Sequence, residues 1–117
     1  MNAEPVIDAL TYAELKTTVG ADFIGELIDA YLDDTPKLIN ELAVSLAQQD
    51  VTNFSRTAHS IKSSSAAMGA LQLSLAAKEL EMMGKQGNLS GAEAKLRHLQ
   101  ENFMQVRYEF EELRNEG

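Results

Sequence analysis

Cysteine is absent from all 117 residues, which excludes disulfides, thiolate metal sites and cysteine nucleophiles together and suits a reducing compartment. Cations are scarce as well. Ten Lys and Arg face 18 Asp and Glu, a formal charge of -8, and a field of that sign repels phosphate backbones and anionic headgroups. Nucleic acid and membrane surfaces are therefore not expected partners. No run approaches the roughly 18 consecutive apolar residues of a membrane span, and the opening "MNAEPVIDAL" has neither a basic n-region nor an apolar h-region, so a cytoplasmic location is expected. Proline and glycine form no linker, and no repeat of fixed period is present. Residues 1–117 are read as a single domain.

Catalytic motifs are missing too. A zinc or di-iron site needs HExxH or a Glu-x-x-His pair, yet Arg56 lies three residues before His59 and Lys95 three before His98, so no metal is expected. "GNLSG" is not the G-x-S-x-G elbow, and no glycine-rich loop precedes a Lys-Ser/Thr pair to hold a nucleotide. A metal-assisted or nucleophilic hydrolase lacks a second catalytic group.

What is present is helical periodicity in a chain that is 44% apolar and 24% charged, the balance of a folding domain. A short lead-in helix over about 11–18 has Thr11 as its N-cap, Glu14 at the capping-box spacing and Gly20 past its end. Four longer helices are expected at roughly 22–49, 51–68, 71–86 and 90–114. In the first, Pro36 either divides two helices or kinks one, and the lack of a turn-forming cluster favours one kinked helix. Gly69 suits a C-cap, and Ser90 with Glu93 repeats the capping-box spacing. Phe23, Phe54, Phe103 and Phe110 lie on the apolar stripes and are assigned to the core. Amphipathic helices with short connections predict an all-α fold, an antiparallel up-down four-helix bundle with a short additional N-terminal helix.

Within 51–68, inward-facing Phe54, Ala58, Ile61 and Met68 turn His59 outward, beside Ser55, Lys62, Ser63 and Ala66. Its neighbours are short, and no charged residue occurs from Ser63 to Ala77. That leaves a smooth face on which a partner can lie flat. Imidazole near neutral pH offers a nucleophilic nitrogen. Lys62, three residues on, and Arg56, three residues back, supply the charge that would match a phosphoryl group. Set against this is the plainer reading of a solvated surface histidine, which spacing alone does not remove. Glu81 and Lys85 are read as ordinary solvated surface, with an orienting or charge role as the alternative, and His98 as a bundle-edge residue without a role.

Residues 57–81, "TAHSIKSSSAAMGALQLSLAAKELE", resemble the histidine-containing phosphotransfer (HPt) domain of multistep two-component phosphorelays. Ala58, His59, Ile61, Lys62, Ser64, Ser65 and Gly69 match the family pattern Ala-His-x-Leu/Ile-Lys-Gly-Ser/Ala-Ser/Ala followed by a Gly about ten residues after the His. Ser63 stands where the family usually has Gly. The resemblance implies a phosphorelay intermediate. His59 would accept a phosphoryl group from a receiver-domain aspartyl phosphate and pass it to another receiver, with Lys62 stabilising the charge. It implies no kinase or hydrolase machinery, no cofactor of the domain's own, Mg²⁺ supplied by the partner receiver, and a monomer working with response-regulator receivers and a hybrid sensor kinase. Receivers would dock over Ser55, Arg56, Ser63, Ala66 and Ala67. The alternative is a helical adaptor or inhibitor that binds a receiver or partner helix without phosphoryl transfer.

Overall fold

The computed structural model describes residues 5–116, and all regular structure among them is helical: α1 Ala9–Val19, α2 Ala21–Ala47, α3 Val51–Met68, α4 Leu71–Gln86 and α5 Ala92–Glu116. Connections at 48–50, 69–70 and 87–91 are short enough to force sequential helices to run antiparallel. Helix α3 packs on α2 and α4, and α5 closes the ring against α2 and α4. The result is an up-down four-helix bundle with α1 laid across α2 and α3. At 1.5 Å per residue the 27 residues of α2 span about 40 Å, close to the longest dimension of the molecule, 42 Å.

The core is built from the predicted stripes. Ile28, Leu42, Phe54, Ile61, Leu73, Leu80, Leu99, Val106 and Phe110 are fully buried. Tyr31 meets Phe103 and Phe110 edge-on at centroid distances of 6.3 and 5.6 Å, the arrangement that sets a positive ring edge against a negative face. Its hydroxyl shares a 2.6 Å hydrogen bond with Ser65 Oγ, which lets a serine sit on the inward face of α3 without an orphaned hydroxyl. Three further bonds pin α3: Thr57 Oγ1 donates to Glu41 Oε2 of α2 at 2.6 Å, Asn53 Nδ2 to Ser45 Oγ of α2 at 2.6 Å, and Ser74 Oγ of α4 to the Lys62 carbonyl at 2.9 Å.

Three local expectations need correction. Helix α1 begins two residues early because Asp8, not Thr11, caps it: one carboxylate oxygen accepts from both the backbone N–H and the hydroxyl of Thr11. Ser90 caps nothing. Gly91, at φ +83°, turns the chain between it and Ala92, where α5 starts. Phe23 is 47% exposed, because the buried stripe of α2 runs through Ile24, Ile28, Tyr31 and Thr35 and leaves the neighbouring residue about 100° off it.

Helix α2 continues unbroken through Pro36, as the single-helix reading expects, and the Thr35 hydroxyl donates to the Tyr31 carbonyl at 2.7 Å just before the proline. Gly69 ends α3 at φ +89°, a left-handed conformation that disfavours a Cβ. Its carbonyl accepts the Asp8 N–H at 2.7 Å, so the α3 C-cap also anchors the lead-in to α1.

Candidate functional site

Two turns of α3 and two of α4 build the site. Gly84 allows it: a Cβ there would stand 2.8 Å from Ser55 Cβ, 2.9 Å from its backbone nitrogen and 3.0 Å from its Cα, so only glycine lets the two helices approach this closely. Glu81, three residues before Gly84, is thereby carried beneath the outer face of α3 with its side chain only 3% exposed.

His59 is on that outer face as predicted, with its side chain 55% exposed, but one edge of its ring is engaged. Nδ1 donates to Glu81 Oε2 at 2.8 Å. The other carboxylate oxygen takes Lys62 Nζ at 2.7 Å, and Lys85 Nζ approaches Oε2 at 3.3 Å. Hydrogen bonding to Lys62 is the largest influence on the Glu81 carboxyl, and with the bonds from His59 and Lys85 it outweighs burial and lowers the pKa to about 2. An ionised carboxylate only accepts hydrogen bonds, so Nδ1 carries the ring proton and a neutral ring keeps its lone pair on Nε2.

Two sequence readings change here. Glu81 is not solvated surface but the buried hub of the cluster, since it lies on the side of α4 that Leu73, Ala77, Leu80 and Gly84 turn inward. Lys62 does not stand free over the histidine. It is half-buried, at 29% exposure, with its ammonium drawn onto Glu81. The signal for the hub is present in the sequence as a carboxylate in register with small and apolar residues one helix beyond the histidine.

The surrounding calls separate into two sides. Ser55 and Arg56 line an open groove of about 610 Å³ between α3 and α4, together with His59, Glu81 and Lys85. Ala67 lies on the other flank, in an apolar groove of about 430 Å³ shared with Leu15, Leu27 and Leu38. Ser63 and Ala66 are exposed on α3 one to two turns beyond the histidine. His98 is on α5, beside Glu79 and Asn102 in a separate shallow groove, and takes no part in the cluster.

The site is thus an all-helical bundle that carries His59 on its outer face, half-exposed, with Nδ1 oriented from beneath by a buried carboxylate. The chain belongs to the Hpt domain family, whose profile matches residues 26–116. The histidine-containing phosphotransfer protein B (HptB) of Pseudomonas aeruginosa PAO1 superposes with a TM-score of 0.93 at 30% identity, covering 98% of this chain and 99% of that one. The maize histidine-containing phosphotransfer protein ZmHP2 shares the fold, with a TM-score of 0.83 at 23% identity over 96% and 91% of the two chains. Among curated relatives, histidine-containing phosphotransfer protein 2 of rice is 27% identical over 92 residues, 76% of this chain, and protein 1 of Arabidopsis thaliana is 24% identical over 115 residues, 94% of it. The matches span 61% of the rice protein and 74% of the Arabidopsis protein. No helix among the described residues is long and apolar enough to cross a membrane.

Proposed function

We propose that the protein is a phosphorelay intermediate in which His59 Nε2 accepts a phosphoryl group from the aspartyl phosphate of a receiver domain and returns it to another receiver. The observation that carries the reading is an exposed imidazole whose Nδ1–H is fixed by a buried carboxylate. In the forward step the Nε2 lone pair forms the N–P bond while the aspartyl P–O bond breaks, and the receiver's carboxylate leaves with the electron pair. No proton moves. The Nδ1–H stays in place, so the ring acquires positive charge as it is phosphorylated, and Glu81 Oε2 at 2.8 Å offsets that charge as it develops. Reversal returns a neutral imidazole, a competent leaving group.

In this scheme Lys62 acts through Glu81, which it holds ionised and in position, in place of the direct contact with the phosphoryl group that the resemblance implies. Phosphoryl transfer depends on positioning and charge neutralisation more than on covalent machinery, so one oriented histidine suffices for half the reaction and the Mg²⁺ is the receiver's. The domain has no kinase or hydrolase activity and needs no cofactor of its own. It acts as a cytoplasmic monomer. Receivers, and a hybrid sensor kinase where one feeds the relay, dock over the outer side of α3 around His59, touching Ser55 and Arg56 on one flank, Ser63 and Ala66 beyond the histidine and Ala67 at the edge of the opposite flank. Incubation with a phosphorylated receiver is expected to give acid-labile, alkali-stable label on the wild type and none on His59→Gln. Label that persists in the variant refutes the assignment.

A further inference from the structure

We infer that the Ser63 hydroxyl belongs to the transfer site: once a phosphoryl group is on His59 Nε2, it donates a hydrogen bond to a phosphoryl oxygen and so raises the share of phosphate held by this protein over that held by the receiver. This rests on the reading of His59 as the acceptor and adds a polar partner on the side of the ring that Glu81 and its lysines leave open.

The direction of the ring decides which neighbours the group meets. Nδ1 is held by Glu81 of α4, and Lys62 and Lys85 reach the same carboxylate, so all three contacts gather on the α4 side of α3. Nε2 is across the ring and points away from α4. At about 100° per residue, the order around the outer surface of α3 runs from Lys62 through His59 to Ser63 and then Ala67. Contacts fix both ends of that arc: Lys62 reaches Glu81, and Ala67 lies in the apolar groove shared with Leu27 and Leu38 of α2. Ser63 therefore stands about 40° past His59, on the side that Nε2 faces. One turn separates the two residues, with Cβ atoms about 5–6 Å apart, and helical side chains lean toward the N-terminus, which carries the Ser63 hydroxyl back toward the ring.

The other hydroxyls near the ring are committed or face elsewhere. Ser60 donates to the Arg56 carbonyl at 3.3 Å and Ser64 to the Ser60 carbonyl at 3.0 Å, the back-bonding by which helical serines satisfy themselves. Ser55 is on the α4 side, against Gly84. Ser63 is exposed, and among the described residues its hydroxyl has no hydrogen-bond partner. No charged residue occurs from Ser63 to Ala77, so on the C-terminal side of the histidine this hydroxyl is the donor that faces Nε2. Its bond to a phosphoryl dianion is charge-assisted. The serine gives up no proton, and the bonds made and broken remain N–P and P–O.

The test is the equilibrium partition of phosphoryl groups between the protein and a purified receiver domain preloaded with acetyl phosphate, read beside ¹⁵N NMR of the imidazole. A residue that only shapes the docking face changes forward and reverse rates alike and leaves this ratio untouched, whereas a contact made by the phosphorylated form alone moves it. Ser63→Ala is expected to shift the ratio about fivefold toward the receiver with the Nδ1–H signal intact, the scale of one charge-assisted hydrogen bond at a half-exposed site. Ser63→Thr keeps the hydroxyl and should stay within twofold of wild type. A Ser63→Ala ratio within twofold of wild type overturns the assignment, whatever happens to the rates, and so does a Ser63→Thr shift as large as that of Ser63→Ala. Loss of the Nδ1–H signal in Ser63→Ala overturns it too, by making the serine part of the Glu81 scaffold. A wild type that takes no label at all overturns the phosphorelay reading together with this assignment.

Discussion

Replacing Glu81 with Gln separates the charge of the hub from its shape, and the structure fixes both the size and the pH dependence of the effect. The carboxyl is lowered from an ordinary 4.5 to about 2, chiefly by Lys62. That difference corresponds to about 3 kcal/mol of stability at neutral pH. Lys85 is largely in water and Lys62 is 29% exposed, so screening brings the expected value to about 2 kcal/mol. The folded-state pKa is depressed, so the contribution is complete above pH 4.5 and is lost as the pH falls toward 2. More than half should be gone by about pH 3.

Urea unfolding of wild type and Glu81→Gln from pH 7 to pH 3 measures it. All other carboxylates are common to both proteins and cancel in the difference, and any packing cost of the amide adds an offset independent of pH. At neutral pH the midpoints should differ by about 1 M or more, for a slope of roughly 1.5 kcal/mol/M. The gap should narrow steadily below pH 4.5. A gap constant to within about 0.5 kcal/mol over that range, or one that widens in acid, refutes the view of Glu81 as an ionised, lysine-clamped hub.

The fold was legible wherever a single helix carries its own signal. The stripe Phe54, Ala58, Ile61 and Met68 is enough to place α3 and to turn His59 outward, because both follow from one helical period. Caps were less legible: Asp8 and Thr11 are both good capping residues three apart, and the choice between them depends on the Asp8 N–H being held by Gly69, 61 residues away. Glu81 shows the same limit in the site. Its period places it near the inward side of α4, but an acidic residue near a helix end reads as solvent-facing unless a partner is known. The partners lie on α3, and the register that aligns residues 59 and 62 with residue 81 is set where Gly84 meets Ser55. Ion-pair geometry between helices is a property of their contact, whereas the exposure of one residue is a property of its own helix.

Two further variants probe the scaffold beneath the site. Tyr31→Phe leaves the fully buried Ser65 hydroxyl without its 2.6 Å partner, so a loss of about 1–3 kcal/mol is expected in denaturant unfolding, and an unchanged midpoint would show that the pair contributes nothing. Gly84→Ala sets two opposing effects against each other: alanine favours the helix by about 1 kcal/mol, but its Cβ would meet α3 at 2.8–3.0 Å, largely at backbone atoms that cannot rotate away, an overpacking of about 1–3 kcal/mol. The helices must part beside Glu81, so a melting temperature at or below wild type should accompany a weakened His59 Nδ1–H signal, and a more stable protein with that signal intact would mean that the close approach is not what holds the carboxylate under the ring.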